Sequence, residues 1–161
     1  MLTVSDRVAR GEAEDASGPA LVERLAMAGW SLASREVVPD EIEAIAAALV
    51  RLSDHGRVPL VLTTGGTGIA PRDVTPEATR RVVDREVPGI AEALRAASLD
   101  QTPHAMLSCA IAGIRGGTLI VNLPGSPRGA RQTFDVLAPV LDHAVALLSA
   151  GEALHRAADR T

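Results

Sequence analysis

"PLVLTTGGTGIAPRDVTPEAT" occupies residues 59 to 79. It opens on a run that is apolar on both faces, the pattern of a central parallel strand. It closes on Thr75 and Pro76, a hydroxyl at a helix cap and a proline in the first turn. Between them, Gly65-Gly66-Thr67-Gly68 removes three β-carbons, which lets the chain take positive φ on leaving the strand and lets a ligand approach the backbone. A strand, a glycine-rich exit and a capped helix form the unit from which an α/β sheet with parallel crossovers is assembled.

The same alternation extends outward. "LTVS" (2 to 5) is a first strand, followed by a helix over Pro19 to Ala28 that carries Leu21, Val22 and Leu25 at helical spacing and stops at Gly29. "SREVV" (34 to 38) is a second strand, and a helix from Glu41 to Ser53 follows, with Asp40 and Glu43 spaced as a capping box. The helix begun at Thr75 runs to about Arg85, "VPG" (87 to 89) breaks it, and another helix covers 89 to 99. "AIAGIRGGTLIVNL" (110 to 123) gives two strands joined around Gly116-Gly117, and "PGSPRGARQTF" (124 to 134) leads into a long helix ending near Gly151. The predicted fold is a three-layer α/β/α arrangement with a mostly parallel central sheet. One domain spans 1 to 161, compact over about 2 to 150 and loosely docked over 151 to 161.

Composition narrows the function. A chain of 161 residues and 16.7 kDa suits one domain. Its core must be aliphatic, because Trp30 and Phe134 are the only aromatic residues. The net charge of -4 and the scattered basic residues give no footprint for nucleic acid. All 16 basic residues are arginine, which excludes the lysine-dependent P-loop, and the glycine run lacks the third glycine of a dinucleotide fingerprint. Cys109 is the single cysteine, and its setting in "MLSCAIAG" predicts a small buried hydrophobe. His55, His104, His143 and His155 show no ligand spacing, so no zinc site is expected. With no charged leader and no apolar run of about 18 residues, the expectation is a cytoplasmic protein without a membrane segment.

"SGP" (17 to 19), "VTP" (74 to 76) and "GSP" (125 to 127) each set a hydroxyl residue at or beside a helix start, with proline in its first turn. Helix N-termini present free N–H groups and partial positive charge, and a parallel sheet gathers them at the carboxyl edge of its strands. Together "TVSDR", "SGPAL", "VPDE", "TTGGTGIAPRDVTPEAT" and "NLPGSP", in this order over about residues 2 to 150, resemble the MogA/MoaB family of molybdenum cofactor biosynthesis proteins, and the chain is also similar to gephyrin G domains. The resemblance implies a usually trimeric molybdopterin-binding fold that transfers AMP from ATP to the terminal phosphate of molybdopterin. It also implies that Asp40 and Asp73 are the functional carboxylates. Thr64, Gly65, Gly66, Thr67, Gly68, Thr75 and Pro76 correspond to loops that bind pterin and nucleotide, as do Asn122, Pro124, Gly125, Ser126 and Pro127. Ser5 and Asp6 leave the first strand at the same edge and join them as candidate binding residues. A non-catalytic pterin-binding paralogue and a CinA-like nucleotide hydrolase are the alternatives.

The residue types fit that chemistry on independent grounds. A phosphate monoester has its second pKa near ~6, so the nucleophile needs no general base. A carboxylate about 5 Å from a phosphate charge is repelled by roughly 3 kcal/mol at an effective dielectric of about 20, whereas a helix N-terminus returns about 0.3 to 1 kcal/mol. A cation must sit between them, and Mg²⁺ held by Asp73, with Asp40, meets that need. Each residue also has a plainer reading. Asp40 caps a helix, Asp73 closes a turn, and Arg72 is either a bidentate phosphate contact or a solvated ion pair.

Overall fold

The computed structural model describes residues 1–55 and 58–158, and in it the side chains of His55 and of residues 151–158 are not described. In chain order the elements are β1 (Leu2–Val4), α1 (Asp6–Ala9), α2 (Ser17–Met27), β2 (Glu36–Val38) and α3 (Ile42–Val50). A π-helical turn (Arg51–His55) leads to β3 (Leu60–Thr64), α4 (Thr75–Val82), β4 (Arg85–Glu86) and α5 (Pro88–Leu99). A 3-10 turn (Pro103–Leu107) precedes β5 (Ala112–Arg115), β6 (Thr118–Leu123) and α6 (Pro127–Ala158).

The six strands form one sheet in the order β2-β1-β3-β6-β5-β4. The first four run parallel, in the registers Thr3↔Val37, Leu2↔Thr63 and Leu62↔Val121, while β5 and β4 are antiparallel additions. Strand β3 is central, as its two-sided apolar pattern requires. Neighbouring side chains on β3 and β6 go to opposite layers. Leu62, Leu119, Val121 and Leu123 join Leu21, Leu25, Leu94, Phe134, Leu137 and Leu141 on the face covered by α2, α5 and α6. Val61 and Ile120, with Leu2 and Val4 of β1, join Ile45, Leu49, Ala78 and Val82 on the face covered by α3 and α4. The three-layer architecture expected from the alternation is the observed one. Each fully buried Leu, Ile or Phe here contributes on the order of 1.5 to 3 kcal/mol.

The elements depart from the sequence reading where tertiary bonds override local ones. Asp40 does not cap α3: the cap position is Glu41, with no side-chain bond, and the Asp40 carboxylate accepts from the Asp6 N–H instead. Thr75 is not an N-cap either. It is the first residue of α4, and its hydroxyl donates to the Gly65 carbonyl at 2.8 Å. α4 stops at Val82 rather than Arg85 because the Asp84 N–H donates to the Ile114 carbonyl and draws the chain into β4. Ser126 caps α6 as expected, accepting from the Gly129 N–H at 3.1 Å. α6 continues to Ala158, through most of the tail expected to be loose, and residues 159–161 lie outside the described part.

Over 127–150, α6 is long and apolar enough to cross a membrane, with a mean hydropathy of 1.4, although no uninterrupted run of that length exists. Here its Ala130, Phe134, Leu137 and Leu141 are buried against the sheet, while Val136, Val140 and Leu147 on the same helix are exposed. Cys109 is exposed, not buried. It lies in the link after the 3-10 turn, where its N–H donates to the Thr67 carbonyl at 2.8 Å and Met106 and Leu107 are exposed as well.

Candidate functional site

The carboxyl ends of β1, β2, β3 and β6 bring residues 5–8, 39–41, 64–76 and 123–127 to one edge of the sheet. The start of α2 joins them there. Gly65 leaves β3 at φ +103°, and a β-carbon on it would run into the Val4 carbonyl oxygen. Gly66 follows at φ +60°, where a β-carbon would lie 2.5 Å from Thr75 Oγ1 and 3.0 Å from Asp40 Oδ1. The glycines therefore serve two ends at once. They allow a left-handed exit, and they let the loop pass between the exits of β1 and β6.

Threonines hold that path from beneath. Thr64 Oγ1 donates to the Pro124 carbonyl at 2.7 Å, and the Thr75 N–H donates to the Gly66 carbonyl at 3.0 Å. Both threonines are fully buried, so their hydroxyls shape the loop from inside. Asn122 is buried too. Its amide donates to Thr63 Oγ1 at 3.0 Å and Thr79 Oγ1 at 2.9 Å, and its oxygen accepts from the Ile111 N–H at 3.3 Å.

The glycine loop separates two cavities. Ser5, Asp15, Asp40, Gly65, Gly66, Asp73 and Gly125 line one of about 340 Å³. Thr67, Gly68, Pro124 and Ser126 line the other, of about 270 Å³, together with Leu94, Ala105 and Leu107 of the α5 and 3-10 wall. The first is ringed by carboxylates and the second is largely aliphatic. Pro76 is buried and faces a different depression, beside Arg80 and Cys109. Pro127 is the first residue of α6 and is half-buried.

Asp40 and Asp73 thus meet at one cavity from separate strand exits. Asp73 Oδ2 accepts from the Ala70 N–H at 2.8 Å, so Asp73 closes a turn and faces the cavity as well. Burial pushes the Asp40 carboxyl above the usual range, and the negative charges of Asp6 and Asp73 add to the effect. Asp6 goes the other way: its hydrogen bonds from Arg72 hold it below that range. Arg72 is bidentate on Asp6, with Nε at 2.9 Å from Oδ2 and Nη2 at 2.8 Å from Oδ1.

Asp15 is the residue that sequence reasoning misses. Its carboxylate accepts from Thr3 Oγ1 at 2.7 Å and from the Gly18 N–H at 2.8 Å, so it caps α2 while lining the acidic cavity. Its position three residues before the second residue of the helix is the available signal, obscured by Ser17 and by the acidic run "GEAED". Among the described residues, no group of three or more His, Cys, Asp or Glu side chains is gathered to hold a metal unaided. The Asp40 and Asp73 pair suits a cation whose remaining ligands are phosphate oxygens and water, the usual Mg²⁺ arrangement.

Comparison with known proteins agrees with this geometry. A family described as "Probable molybdopterin binding domain" matches residues 1–143. Gephyrin of Dictyostelium discoideum is 46% identical over 159 residues, covering 92% of this chain but 22% of that protein, so the chain spans about a fifth of that relative's length. A molybdopterin adenylyltransferase of Helicobacter pylori (strain J99) is 41% identical over 150 residues, covering 92% of this chain and 85% of that enzyme. The crystal structure of the molybdopterin biosynthesis enzyme MoaB from Thermus thermophilus superposes with a TM-score of 0.88 at 51% identity, covering 92% of this chain and 94% of that one. Carrying this domain over most of its length, with the glycine exit and its paired carboxylates in place, the chain belongs to the MogA/MoaB family of molybdenum cofactor biosynthesis proteins.

Proposed function

We propose that this protein is a molybdopterin adenylyltransferase. A terminal phosphate oxygen of molybdopterin attacks the α-phosphorus of ATP, the new P–O bond joins AMP to the pterin phosphate, and pyrophosphate leaves with the electrons of the broken bond. The observation that carries this reading is the convergence of Asp40 and Asp73 on one cavity that Gly65 and Gly66 also line. The named relatives of similar length support it.

The protein's task is positioning and charge rather than proton transfer, because the attacking phosphate is already largely dianionic near pH 7. The Gly65–Gly68 backbone receives polyphosphate closely, and the aliphatic cavity on the other side of the loop offers Leu94, Ala105 and Leu107 to a flat ring. Asp40 and Asp73 would hold Mg²⁺, which when bound neutralises charge on the transferred and leaving phosphates. We propose further that the protein works in the cytoplasm as a homotrimer; sedimentation at equilibrium tests the trimer through a mass of three chains.

Incubating the purified protein with molybdopterin, ATP and Mg²⁺ and weighing the products by mass spectrometry tests the activity. Adenylylated pterin is expected; pterin binding without product, or ATP hydrolysis without pterin, would overturn the assignment. Asp73→Asn should lower kcat on the order of 10²-fold, as the loss of a charge-stabilising group does, while pterin affinity stays within about twofold.

A further inference from the structure

Asp6 lies at the edge of the site, yet its hydrogen bonds run to protein rather than into the cavity. Its N–H donates to Asp40 Oδ2 at 2.7 Å, and its Oδ1 accepts from the Asp40 N–H at 3.0 Å. The exits of β1 and β2 therefore grip each other reciprocally, residues 6 and 40 being 34 apart in sequence. Onto the same Asp6 carboxylate comes Arg72, from 66 residues along the chain, with three N–H···O contacts of 2.7 to 2.9 Å. Arg72 directly precedes Asp73. One carboxylate thus ties down both the residue that carries Asp40 and the loop that carries Asp73.

The arrangement has a physical reason. Two aspartates joined by their backbones and side chains repel, and a planar guanidinium fork neutralises one of them without reaching the other. Arg72 is engaged by Asp6, while Asp40 and Asp73 line the cavity together with Asp15. A merely solvated surface pair would not join three strand exits.

We propose that Asp6 and Arg72 are positioning residues, forming an internal clamp that fixes Asp40 and the Asp73 loop relative to each other, with Arg72 acting through Asp6 rather than on a substrate phosphate. The kinetic part of this inference rests on the adenylyl-transfer reading; the clamp itself does not.

Three single variants and one double variant test it. Asp6→Asn keeps an oxygen for the Asp40 N–H but gives up the charge held by Arg72. Arg72→Gln gives up the fork and its charge, and Arg72→Lys keeps the charge without the fork. In the ligand-free protein, amide hydrogen exchange at Asp6 and Asp40 should speed up about tenfold in each Arg72 variant, although neither amide touches Arg72. In the adenylylation assay each single variant should lose roughly 10- to 100-fold in kcat, the scale of a small misplacement of reacting groups, with KM for ATP changed less than about twofold. Asp6→Asn with Arg72→Gln should be no worse than the poorer single variant, since both break one device. Additive losses with a raised KM for ATP would make Arg72 a phosphate ligand and overturn the proposal, as would unchanged exchange at Asp40 in both Arg72 variants. If the unmodified protein formed no adenylylated pterin, the proposed activity would fail while the exchange measurement still decided the clamp.

Discussion

Asp6 and Asp40 exchange hydrogen bonds yet respond to pH in opposite senses. The Arg72 hydrogen bonds hold Asp6 below the usual carboxylate range, so its contribution to stability is present above that range and is lost as pH falls through the depressed value. Burial raises Asp40, so its ionised form costs stability that returns as pH falls below its folded value. Asp40→Asn, which keeps an oxygen for the Asp6 N–H, should therefore leave urea stability at pH 7 unchanged or slightly raised, while adenylylation is lost. A drop of several kcal/mol would mean that Asp40 is structural first. Gly65 makes the opposite case. Gly65→Ala must place a β-carbon against the Val4 carbonyl at φ +103°, and the expected loss is about 2 kcal/mol or more by urea titration.

At the scale of elements, Asn122 joins four segments: β6, on which it lies, β3 through Thr63, α4 through Thr79, and the entry to β5 through Ile111. Asn122→Leu would leave the buried Thr63 hydroxyl and the Ile111 N–H without this partner, while the Thr79 hydroxyl keeps its bond to the Thr75 carbonyl. At about 1 to 3 kcal/mol for each of the two orphaned groups, the variant should lose at least about 2 kcal/mol, read from the denaturant midpoint. Nothing in "VNLPGSP" separates this role from ligand binding, because an amide with buried partners and one awaiting a ligand look alike in sequence. Strands, the long helices and the Gly116 hairpin are legible because hydrophobic period is a local signal. Helix caps are less so. Asp40 and Thr75 have the right residue type at the right offset, but Asp6 and Gly65, distant in sequence, take their side chains, and Asp15 caps α2 in place of the hydroxyl residue. The four residues of α1 and the two of β4 are too short to show a period, and β4 exists only because β5 pairs with it. "MLSCAIAG" reads as a buried run although its first half is an exposed turn, since apolar composition alone does not reveal which side of a short connection faces the core.

For the whole molecule, the α/β class and the meeting of Asp40 and Asp73 at one edge both follow from one property of parallel sheets: every strand exit lies at the same end. Sequence order supplies the exits, and topology alone then determines that they converge. What sequence does not carry is the distance between loops, and so neither the Asp6 clamp nor the division into two cavities is visible in it. The same polarity yields a spectroscopic prediction. Trp30, the only tryptophan, packs with Met1, Leu25 and Leu60 at the amino end of the strands, while Gly65 lies five residues beyond Leu60 along β3. At about 3.3 Å per residue the indole is separated from the glycine loop by roughly 16 Å of strand. Phe134 is 1% exposed and offers no stacking face. Saturating ATP with Mg²⁺ should therefore leave the Trp30 emission maximum unmoved, while amide exchange slows at residues 64–68 and 123–126. Slowed exchange around Trp30 with none at the glycine loop would place the nucleotide at the wrong end of the sheet and remove the basis for every assignment made at its carboxyl edge.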